Sequence, residues 1–148
     1  MKFKDFLTAN DACSEGATWG KDIGSFKEAW EKCQRLDWMR WGLGRIGYKD
    51  ERKLRLYGCA CVRGTPISKG RTVWDLLTDE RSRKAVEVAE RFAIGEATEE
   101  ERAAAWAAAW AAAWAAARAA AEAWQVNLLR ERVSWAEVEK AIRKGVRA

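Results

Sequence analysis

No histidine occurs in the chain. Its absence removes His-based triads, proton relays and histidine metal sites. A single proline, Pro66, leaves nearly the whole length free of the commonest helix breaker. No segment alternates apolar and polar residues with period two, and Val/Ile/Thr-rich runs are missing, so strands are not expected. No Walker-type Gly-Lys-Ser/Thr motif appears. Gly42-Leu-Gly-Arg-Ile-Gly47 spells GxGxxG, but no strand precedes it and no βαβ context surrounds it.

Cysteine is sparse: Cys13, Cys33, Cys59 and Cys61, with no secretory signal ahead of them. Their spacing matches no common zinc finger or ribbon. They read as reduced thiols packed as small hydrophobes in a cytoplasmic protein. Cys59-Ala-Cys61 sits inside a helical stretch, away from the helix N-terminus where a thiolate would be stabilised. Paired carboxylates occur only as caps and solvated helix faces. The expectation is a protein that is not an enzyme and needs neither cofactor nor metal.

What is present is helix punctuation. Ser25-Phe-Lys-Glu28 is a capping box opening an amphipathic stretch to about Leu36. Asp37 is placed to cap Trp38–Trp41, which runs into Gly42, Gly44 and Gly47, read as a loosened helix or a tight turn. Asp50 starts a helix with Leu54, Leu56, Tyr57 and Cys61 on one broad face, and Gly64 is its C′ candidate. Gly64-Thr-Pro-Ile-Ser-Lys-Gly70 is the clearest loop. Val73–Leu77 forms a short turn, and Thr78 or Asp79 caps a helix to about Ile94 that Gly95 stops. Thr98–Glu101 and Ser134–Glu137 are further capping boxes.

Ten tryptophans stand against four phenylalanines and two tyrosines, so the indoles define the core, a binding surface or both. From Ala103 to Ala121 the chain reads AAAWAAAWAAAWAAARAAA. Alanine is the best helix former, so one helix is expected over about 98–131, on the order of 50 Å long. A four-residue repeat advances by about 40° per step, so Trp106, Trp110, Trp114 and Arg118 form a slowly winding ladder with an alanine back. Core is the plainer reading of such a ladder. The alternatives are a stacking platform for bases or nucleotides, a groove for a partner helix, or an aromatic cage for a cation. The uncharged stretch Ala103–Ala117 is too short for a membrane span. The fold class that follows is all-α: a single domain over 1–148, a bundle of about six to eight helices around the Ala/Trp helix.

The net charge of +5 is mixed along the chain, without the concentrated basic patch usual for nucleic-acid binders. Asp79-Glu-Arg-Ser-Arg83 is a dense charged cluster at a helix start. It serves either as cap and i,i+4 pairing, or as a recognition surface presenting Asp79, Arg81 and Arg83 beside Trp74.

Several of these stretches together resemble a known group. Arg35-Leu-Asp-Trp-Met-Arg-Trp41, Arg52–Cys61, Trp74–Arg83, Ala85–Phe92 and Gly95–Thr98, followed by aromatic-Ala-Ala-Ala repeats, are similar to small helical Ala-rich repeat proteins of phages and bacteria. That group resembles the immunity proteins of polymorphic-toxin systems. The resemblance spans roughly residues 25–125. It implies a non-catalytic binder that occludes a protein partner, a toxin or a host defence factor. The chain departs from the group in using tryptophan where tyrosine is common in the repeats, and in carrying the insertion Thr65–Gly70. A nucleotide or nucleic-acid binder using the ladder, and a structural helical protein that self-associates into homo-oligomers, are the alternatives.

Overall fold

The computed structural model describes residues 1–68, 70–103 and 122–145. Among these the fold is all-α apart from one two-stranded hairpin. The ladder residues Trp106, Trp110, Trp114 and Arg118, and the middle of the expected long helix, lie outside the described residues. No described helix is long and apolar enough to cross a membrane. The chain divides into two compact units: Met1–Lys49 with Val133–Ala148, and Asp50–Arg132.

The first unit contains α1 (Phe3–Ala9), α2 (Ser14–Trp19), a 3-10 turn (Gly20–Asp22), α3 (Phe26–Lys32) and α4 (Leu36–Arg45). Helix α3 begins as its sequence dictates. Ser25 Oγ accepts from the Glu28 amide at 3.1 Å, and the Glu28 carboxylate reaches back to the Gly24 amide at 2.7 Å. It stops at Lys32, short of Leu36. Cys33 turns extended and its thiol donates to the Arg35 carbonyl at 3.4 Å. Helix α4 then starts one residue before Asp37. That carboxylate therefore lies in the first turn and pairs with Arg35, where capping had been expected. Gly42 and Gly44 are ordinary positions within α4, and the chain leaves it through Gly47 at φ 69°.

The last helix of the structure, Trp135–Gly145, belongs to the same unit. Glu137 accepts from the Ser134 amide at 3.1 Å and hydroxyl at 2.9 Å, which closes its first turn. Val133 just before it is fully buried, and Val138 nearly so. Gly145 packs against the Ile46 carbonyl, which a Cβ would approach to 3.1 Å.

The second unit is built on α5 (Glu51–Gly64) and α7 (Glu80–Ala93), with the single-turn α6 (Val73–Leu76) and α8 (Glu122–Arg132) against them. The last helix above is therefore α9. Asp50 caps α5 by accepting from the Lys53 amide, and Asp79 caps α7 by accepting from the Arg81 amide, both near 3 Å. The Thr98–Glu101 box forms reciprocally at the start of the helical residues 99–103. Cys59, Val73, Leu77, Val86 and Ala89 form the core between these helices. Val126 and Leu129 of α8 are sealed from solvent, a burial worth about 1.5–3 kcal/mol per side chain.

The segment read as a loop is more ordered than its glycines suggest. β1 (Pro66–Ser68) pairs antiparallel with β2 (Arg71–Thr72). Pro66 lacks only a donor that a two-stranded edge does not need, and Gly70 supplies φ 73° for the turn. Fully buried Thr65 anchors its base. Its amide donates to the Cys61 carbonyl, its carbonyl accepts from the Val73 amide at 2.9 Å, and its hydroxyl accepts from Gln125 Nε2 at 3.1 Å.

Candidate functional site

Of the charged cluster singled out in the sequence, Arg83 meets Trp74. Two guanidiniums address the indole: Arg63, from the last turn of α5, at 4.2 Å from the ring centroid, and Arg83, from α7, at 5.3 Å. Arg63 is itself fixed by Glu90, with Nε donating to Oε1 at 2.5 Å and Nη2 to Oε2 at 2.7 Å. That bidentate pair raises the Arg63 pKa above its ordinary value, chiefly through the Glu90 hydrogen bonds. Trp74 remains half-buried, resting on the second unit's core.

Arg83 and Arg81 part company. Arg83 Nε is buried without a hydrogen-bond acceptor among the described residues. Arg81 stands 85% exposed and turns back to Asp79, its Nε 3.4 Å from that carboxylate. The Asp79 carboxyl is held below its usual range, first by the Arg81 amide and then by the Arg81 side chain. Asp75 is lowered likewise by the Thr72 amide, with Arg71 and Arg83 adding attraction. Leu76, on the same short helix as Trp74, is 38% exposed. The structure thus brings Trp74 and Arg83 together and sets Asp79 and Arg81 as a self-contained pair at the α7 start. Arg63 is the member that sequence reading missed, because it arrives from another helix. Arg55, eight residues earlier on α5, lies over Phe92 at 4.6 Å from the ring centroid, with Arg102 at 5.4 Å from the same ring.

A second feature lies wholly in the first unit. Phe3 and Phe6 of α1, Phe26 of α3 and Trp41 of α4 pack edge to face, with centroids 5.2 to 5.8 Å apart in the three contacts that link them. Trp19 joins Phe3 at 6.2 Å and Trp38 at 5.6 Å. These rings surround a cavity of about 380 Å³ completed by Leu43, Ile46, Val138 and Ile142. At its edge Arg35 lies 4.6 Å over Trp38, donates to both oxygens of Asp37 at 3.0 and 2.6 Å, and reaches Glu15 at 3.3 Å. The signal was present as aromatic pairs at helical spacing: Phe3/Phe6, Phe26/Trp30 and Trp38/Trp41.

Cys59 lies inside α5 and its thiol is pushed up to about 11, first by burial and then by Glu90. A protonated, buried thiol is a poor nucleophile at neutral pH. Comparison with family models, with curated proteins and with solved structures returned no significant match.

Proposed function

We propose that this chain is a non-catalytic binding protein of immunity or anti-defence type, which acts by occluding a protein partner such as a toxin or a host defence factor. The observation that carries this reading is the Trp74 clamp. A half-buried indole carries the guanidiniums of Arg63 and Arg83 over its ring, with Leu76 exposed on the same short helix and Arg81 exposed at the start of α7. Tryptophan and arginine dominate interface hot spots, and a side chain already immobilised loses little entropy on binding. The resemblance over residues 25–125 points the same way.

The test is quantitative capture from the native host, with wild type and two variants that leave the core untouched, Arg81→Glu and Leu76→Asp. A protein partner retained by wild type and released at least tenfold faster from both variants supports the reading. A partner held equally by all three, or none at all, overturns it.

A further inference from the structure

We propose that the aromatic cavity of the first unit is a binding site for an uncharged, planar hydrophobic small molecule. Its size is the first argument. An apolar cavity of about 150 Å³ suffices for benzene, and ligand pockets start near 300 Å³. At about 380 Å³, this one holds a fused or linked pair of rings. Its lining is the second. Edge-to-face rings on several sides offer dispersion contacts and little polarity to a flat apolar guest.

Gly42 supplies an independent argument. It sits within α4 and lines the cavity, and a Cβ there would meet nothing within 4 Å beyond its two chain neighbours and its own helix backbone. Its φ lies outside the left-handed region, so neither backbone nor crowding requires glycine. Glycine inside a helix is unfavourable, and here its effect is to leave space beside the rings. Gly44, two residues on, is also unhindered but faces solvent, and so serves as its control.

The preference for a neutral guest follows from the edge. Arg35 already satisfies Asp37 and contacts Glu15 while covering Trp38. The Cys33 thiol donates to the Arg35 carbonyl and the Cys13 sulfur accepts from the Gly16 amide. Asp11, the remaining charged group of the lining, is exposed to water. A charged guest would lose hydration without gaining a counter-ion.

The experiment titrates the protein with N-phenyl-1-naphthylamine and with 1-anilinonaphthalene-8-sulfonate, which share one ring skeleton and differ by a sulfonate. Saturable one-to-one binding of the neutral probe, at least tenfold tighter than the anion, is the expected result. Gly42→Leu should weaken it at least tenfold, and Gly42→Ala by a smaller step, while Gly44→Leu leaves it unchanged. Circular dichroism and melting temperature establish that each variant is folded. Should Gly42→Leu fail to fold, the Gly42→Ala and Gly44→Leu comparison decides. No saturable binding to wild type, equal or tighter binding of the anion, or equal weakening by folded Gly42 and Gly44 variants overturns the proposal. None of these outcomes bears on the Trp74 surface, which lies in the other unit.

Discussion

The indole of Trp124 closes on Gly64 at the end of α5, where a Cβ atom would come within 2.9 Å of Cη2 and 3.1 Å of Cζ2. The contact is with a rigid ring, so little relief is available by rotating a flexible end. Gly64→Ala should destabilise the protein by about 1–3 kcal/mol through overpacking. Urea denaturation followed by circular dichroism measures it, and an unchanged midpoint would remove Trp124 from that position.

Helical glycines on α4 should behave oppositely. Gly42→Ala and Gly44→Ala meet no crowding, and each should stabilise by about 0.5–1 kcal/mol because helix interiors disfavour glycine. Gly95, at φ 82°, is the contrast: alanine there should lose about 1–2 kcal/mol. Thermal melts of the three variants give the two signs directly.

Arg63→Met retains an aliphatic stem but loses both the cation over Trp74 and the Glu90 pair. The pair is partly exposed, so screening limits it, and a loss of about 1 kcal/mol is expected. High salt should shrink the difference between variant and wild type; a salt-independent difference would assign the effect to packing alone.

Acid should unfold the protein through its caps. The carboxyls of Asp75, Asp79 and Glu101 are each held below the ordinary range, first by a backbone amide. A depressed folded pKa stabilises above the unfolded value, about 4, and that contribution is lost as pH falls through the folded values. Stability should therefore be level from neutrality to about pH 5 and decline below about pH 4. A triple variant, Asp75→Asn with Asp79→Asn and Glu101→Gln, should be weaker at neutral pH and show a flatter acid limb.

The thiols should separate by rate. Cys13 is exposed, whereas Cys59 is buried with its pKa raised to about 11. Labelling with an alkylating reagent near neutrality should modify Cys13 first and Cys59 last. The unfolded Cys59 thiol ionises near 9.0, so its burial makes the fold lose stability as pH climbs from there to about 11. Cys59→Ala should remove that part of the alkaline decline.

The helices that sequence reading located best are those with side-chain caps of the usual chemistry. Asp50 and Asp79 accept the amides expected of them, and the Thr98–Glu101 box closes at both ends. Helices α1 and α2 escaped notice because their starts carry no such signal. Lys2 makes no side-chain cap, and the cap of α2 is the Cys13 sulfur. The cavity escaped for a related reason: its rings come from separate short helices, and no single stretch shows more than two. The Trp74 cluster was half legible. Arg83 was named beside the indole, but Arg63 reaches it through the packing of α5 on α6 and α7, a long-range relation that local spacing does not encode.

Thr65 and Val73 are joined by a 2.9 Å backbone hydrogen bond, so the chain leaves the core and returns to it at almost the same point. The strands in between form an excursion stapled at both ends, with Ile67 packed back onto the core and Ser68 and Gly70 exposed at its far end. It is where this architecture would accept a longer loop, a cleavage sequence or a grafted epitope while its core remained as it is.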